Sequence, residues 1–103
     1  MYDIHEFIDK VKDKNLFEII SEAQNEVSRA ENGSFGVKGA VAKRNSGALE
    51  YASDLKELIF FLGNGVKPFG ISDSVFYSFK PICENLVNKK QFKPGILDLF
   101  NYL

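Results

Sequence analysis

One histidine and one cysteine bound the chemistry open to this chain. His5 and Cys83 form the one Cys–His combination from which an activated thiol could be built beside a base. Cys83 falls among Phe79, Ile82, Leu86 and Val87 at helical spacing, where a free cysteine acts as a small hydrophobe. His5 sits beside Glu6 on the first turn of an amphipathic stretch, the setting of a solvated imidazole. His5-Glu6 is not continued to a second histidine, so no zincin helix is present. One His and one Cys do not make a structural zinc site, and no metal or other cofactor is expected. Phosphate and acyl chemistry fare no better. Gly33-Ser34-Phe35-Gly36 follows Asn32, where a nucleophile elbow needs glycine. Lys38 stands between Val37 and Gly39, which is not a P-loop, and no G-x-G-x-x-G occurs. The carboxylate pairs Glu6 with Asp9, Glu18 with Glu22, and Glu22 with Glu26 share helix faces. They alternate with apolar positions, as a solvated face does. The expectation is a protein without catalytic activity.

Two features suit binding better. Residues 33–47 hold four glycines with Lys38, Lys43 and Arg44 and no acid. Glycine-rich backbone can cup an anion, and the charge can hold a phosphate backbone or an acidic protein face. Phe35, Phe69 and Phe92 lie in loops flanked by Gly, Lys and Pro. They either fold back over the core or form an apolar patch used for association. Phe35, Lys38, Lys43, Arg44 and Phe69 are therefore the expected partner-binding residues. In a symmetric dimer the basic loop would meet Glu18, Glu22, Glu26 and Glu31 of the other chain.

The elements that must position these residues read as helices. Ile4, Phe7, Ile8 and Val11 make one 3.6-residue stripe, and Leu16, Ile19, Ile20, Ala23, Val27 and Ala30 make a second. Asp3 with Glu6, and Asn15 with Glu18, have capping-box spacing. The spacing predicts helices over about 4–12 and 16–31 with a tight corner; a single kinked helix is the rival. Asn32-Gly33 stops the second. Four glycines argue against a long helix in the loop that follows. From Ala48 to Leu62 the helical period returns, and Phe60 and Phe61 make its end apolar nearly all round, as a central helix would be. Val75, Phe76, Phe79, Ile82, Cys83, Leu86 and Val87 mark another helical region. Pro81 either kinks it or opens a new helix there. Ile96, Leu97, Leu99, Phe100 and Leu103 close the chain with a short helix. Leu55, Ile59, Phe76, Phe79 and Leu86 are expected in the core.

The fold class expected is all-α: a single compact domain, residues 1–103, of about five helices with a glycine-rich basic loop in the middle. The charges nearly balance, with 13 basic and 14 acidic side chains and a net charge of -1. That excludes a committed polybasic nucleic-acid arm and an acidic disordered tail. One cysteine excludes a disulfide framework. No apolar run approaches the roughly 20 residues of a membrane span, and the N-terminus does not read as a signal peptide, so the cytoplasm is the expected compartment. The function expected is a small protein-interaction or regulatory domain, acting through a protein partner or as a homodimer. The alternative is a nucleic-acid or anion-binding module using the Gly33 to Gly47 loop.

Overall fold

The computed structural model describes residues 3–31 and 46–102, and within them every regular element is helical. Helix α1 spans Ile4–Val11 and α2 spans Leu16–Glu31. The stripe breaks at Lys12 to Asn15, and there the chain turns, with Lys14 N–H bonding the Val11 carbonyl at 2.9 Å. The second start signal is fully used. Glu18 N–H donates to Asn15 Oδ1 at 2.9 Å, and Asn15 N–H donates to Glu18 Oε1 at 3.2 Å. This reciprocal box satisfies two donors that the first helical turn leaves without partners. At α1 the Asp3 arm forms, accepting from His5 N–H at 2.9 Å, while Glu6 lines a polar hollow instead.

Helix α3 runs Ser46–Asn64 and makes the most extensive contact with α2. Tyr51 near its start reaches Glu26 near the end of α2, and Leu16 at the start of α2 shares a groove with Leu62 near the end of α3. The two helices are therefore antiparallel. Their buried stripes include Ala23, Ala30, Ala48 and Ala52. Such small side chains let helix axes approach toward the short end of the usual 8–10 Å range.

Helix α4 spans Asp73–Ser78 and α5 spans Lys80–Asn88. Of the two readings of Pro81, the hand-over is the one realised. Phe79 ends α4, its N–H bonding the Phe76 carbonyl at 3.0 Å, and its own carbonyl accepts Cys83 N–H at 3.1 Å to begin α5. Pro81 then sits in the first turn, where its missing N–H costs nothing. The C-terminal element is a 3-10 segment, Pro94–Tyr102, rather than an α-helix. Its three-residue repeat sets Ile96 and Leu99 along one edge and Leu97 and Phe100 along the next.

One contiguous core draws on every element. Phe61 is its centre. Its ring meets Phe76 edge-on at 4.9 Å, Phe79 at 6.4 Å and Phe100 edge-on at 6.1 Å, and Phe76 stacks on Phe100 at 4.7 Å. Leu55, Phe76, Phe79 and Leu86 are fully buried as the stripes predict, while Ile59 is only partly covered. Phe60 departs from expectation, being 51% exposed. Adjacent helical residues point about 100° apart, and Phe61 takes the inward position. Leu49, Ser53, Lys56 and Phe60 form a solvent face of α3, so that helix is open on one side rather than enclosed.

Candidate functional site

The pairings that bring the most distant parts of the chain together lie at one end of the molecule. Asn85 Nδ2 donates to the Lys12 carbonyl at 3.2 Å, and Lys89 Nζ donates to the Asp13 carbonyl at 2.9 Å. Leu16 N–H, free at the start of α2, donates to Gln91 Oε1 at 2.6 Å. These three bonds clamp the α1–α2 corner onto the end of α5. There the chain turns sharply: Lys90 N–H bonds the Val87 carbonyl at 2.9 Å and Gln91 N–H bonds the Leu86 carbonyl at 2.8 Å. That is the paired bonding of a Schellman cap. Its left-handed position is filled by Lys90, with φ 61°, where glycine is the usual residue.

Beside this clamp α3 ends at Gly63-Asn64-Gly65. Gly65 has φ +70°, and its N–H bonds the Phe61 carbonyl at 2.7 Å. A side chain at Gly65 would stand 3.3 Å from Ile96. Between α3 and the 3-10 segment lies an open groove of about 580 Å³. Leu16, Leu62, Phe92, Ile96 and Leu99 supply its apolar lining, and Gln91 and Lys93 its polar rim. Phe92 is half-buried, edge-on to Phe61 at 6.3 Å. Phe17, the residue after Leu16, is 78% exposed. Gly63 and Gly95 also line the groove, and a Cβ at either meets nothing within 4 Å.

The charge around this end is unbalanced. Residues 12–14 and 89–93 carry Lys12, Lys14, Lys89, Lys90 and Lys93 against Asp13 alone. None of these five lysines has a carboxylate or a ring partner among the described residues. Every other described lysine or arginine has one. Lys10 pairs with Glu22 at 3.2 Å, Arg29 with Glu26 at 2.8 Å, Lys56 with Glu31, and Lys67 with Asp73; Lys80 lies 5.5 Å from the Tyr77 ring centre. The opposite imbalance runs along α3, where Glu50, Asp54 and Glu57 share a face. Burial, then the charges of Glu50 and Glu57, raise the Asp54 carboxyl above its ordinary value.

A second hollow, of about 330 Å³, holds Asp3, Glu6, Lys10, Glu26, Arg29 and Tyr51. Glu26 is nearly buried and is satisfied from within, by Arg29 and by the Tyr51 hydroxyl at 3.4 Å, with Lys10 at 4.0 Å. Burial and the Glu26 charge hold that hydroxyl well above the ordinary tyrosine range. The hollow holds three carboxylates against two cations, and its most buried acid, Glu26, is the one that is paired.

Of the residues expected to bind a partner, Phe35, Lys38, Lys43 and Arg44 lie outside the described residues. Phe69 is fully exposed, on the connection between α3 and α4, and lines none of these hollows. Of the acids paired with the loop in the dimer arrangement, Glu22, Glu26 and Glu31 already hold cations of their own chain, and Glu18 caps α2. Cys83 has no exposed surface, and burial followed by the Glu84 charge pushes its thiol up to about 12. His5 lies on the exposed side of α1 in a hollow with Asp9, Tyr77 and Lys80. Among the described residues no three His, Cys, Asp or Glu side chains gather to hold a metal ion, and no helix is long and apolar enough to cross a membrane.

Among the groove residues the sequence singles out Phe92, as a loop aromatic; the groove as a whole joins residues up to 75 positions apart, and the further signal for its lysines is the excess of bases over acids after residue 77. Comparison of the chain with protein-family models, with curated protein sequences and with solved structures returns no match.

Proposed function

We propose that this chain is a non-catalytic helical interaction domain of the cytoplasm that takes an apolar segment of a partner protein into the groove between α3 and the 3-10 segment. The observation that carries the reading is the groove itself, where Leu16, Phe92, Ile96 and Leu99 stay half-buried over a floor that includes the buried Leu62. Its size is that of sites that seat a few apolar groups. The sealed Cys83 and the unpartnered position of His5 support the absence of catalysis in this reading.

The test uses isotope-labelled protein and an uncharged amphipathic peptide with leucines at helical spacing, titrated while amide shifts are followed. The expected result is saturable shifts at Leu16, Gly63, Gly65, Ile96 and Leu99, lost in Gly63→Leu, whose side chain enters open space at the groove's edge. Shifts centred on Phe69, or none at the groove, would overturn the reading.

A further inference from the structure

We infer that the occupant of this groove is an acidic amphipathic segment of a partner protein, with apolar anchors flanked by Asp or Glu. The inference rests on the groove reading above and adds the partner's charge. Its ground is the distribution of cations that have no carboxylate or ring. Five lysines without carboxylates stand on the α1–α2 corner and on the turn after α5, next in the chain to the groove residues Leu16 and Gln91, and Lys93 alone of the five lines the groove. Elsewhere the fold gives each described cation a carboxylate or a ring. An acidic segment docked by its apolar face completes the pairing that the chain leaves open at this end.

Lys90 adds a second argument. Its left-handed backbone suits glycine, and a side chain there crowds the carbonyl of its own turn. The residue present is nonetheless a lysine, on the same turn as Lys89 and three positions from Lys93. Strain of this kind is a reason to look for a use of the side chain.

Protein fits this surface better than nucleic acid. Stacking of bases needs exposed aromatic faces, and the groove's one aromatic ring, Phe92, is half-buried edge-on against Phe61. The rest of its apolar lining is Leu and Ile, which suits aliphatic anchors in the helix-in-groove mode.

Fluorescence anisotropy tests this with three labelled peptides of about 16 residues that share helical leucine anchors. Their intervening positions are Glu, Gln or Lys. At low salt the Glu peptide is expected to bind at least roughly tenfold more tightly than the Gln peptide, about 1.4 kcal/mol by the affinity relation. The gap should narrow as salt rises, since exposed charges are screened. In the combined variant Lys12→Ser, Lys14→Ser, Lys90→Ser, none of whose side chains lines the groove or makes a clamp bond, the gap should narrow while Gln-peptide binding is unchanged. Circular dichroism confirms that this surface variant stays folded. Equal binding of the Glu and Gln peptides to the parent protein, both blocked by Gly63→Leu, would overturn the acidic partner and leave the groove reading intact. Failure of all three peptides at the groove would overturn both. Tighter binding of a labelled oligothymidylate than of the Glu peptide, lost in the lysine variant, would assign the lysines to nucleic acid instead.

Discussion

Cys83 shows how far packing controls a reactive group. Phe79, Ile82 and Leu86 of the same buried stripe are, like it, without exposed surface, and a thiolate there would have no water to solvate it. Its thiol is pushed up from an ordinary 9.0 to about 12. In the unfolded chain the same thiol ionises near its ordinary value. Stability from this group is therefore complete below about pH 8 and falls as pH rises past 9, where the unfolded state alone releases the proton. Urea melts at about pH 8 and about pH 10 should show a lower midpoint at the higher pH, and Cys83→Ala should reduce that drop. Thiol reagents should label Cys83 only at the rate of unfolding. Rapid labelling of the native protein would place the sulfur at the surface.

At the level of elements, the ends of helices are where local chemistry decides most. The Asn15–Glu18 box starts α2 and thereby sets the angle at which the α1–α2 corner meets α5. Asn15→Ala should cost about 1 kcal/mol, as loss of an N-cap side chain does, measured by equilibrium unfolding. The other end of the clamp responds in the opposite sense. Lys90→Gly relieves the left-handed strain and should raise stability by about 0.5–1 kcal/mol. The same change should weaken binding of the acidic peptide. A Lys90→Gly protein that is both more stable and an equally good binder would mean the side chain serves no partner.

Across the whole molecule the aromatic cluster joins what the chain separates. Phe61 of α3 touches rings from α4, from the turn after α5 and from the 3-10 segment. Phe61→Ala removes a fully buried ring from that junction and should cost about 3–5 kcal/mol, the range for emptying such a site. A thermal or denaturant melt measures it. Because Phe92 and the 3-10 segment also line the groove, the variant should lose peptide binding at temperatures where α2 and α3 remain helical by circular dichroism. Loss of helix and of binding at a single temperature would instead show that the groove and the α2–α3 pair unfold as one unit.

The helices themselves were legible in the residues. Period 3.6 in Ile4 to Val11 and Leu16 to Ala30, Asn15 spaced three from Glu18, and Pro81 within an apolar stripe are local signals. They depend on backbone geometry and neighbouring side chains alone. So was the burial of Leu55, Phe76, Phe79, Cys83 and Leu86, because an apolar stripe has one inward direction. Which of two adjacent phenylalanines points inward was not legible. Phe60 and Phe61 are chemically alike, and only the rings waiting at Phe76 and Phe100 select Phe61. The candidate site was least legible of all. Residues 33–47 drew attention because their bases are neighbours in the chain, whereas the bases around the groove are divided between residues 12–14 and 89–93. Three hydrogen bonds spanning more than seventy positions bring them together. Ion pairing is likewise a property of the folded surface: Lys10, Lys56 and Lys67 look no different in sequence from Lys12, Lys89 and Lys93, and only the tertiary structure gives the first three a carboxylate and the others none among the described residues.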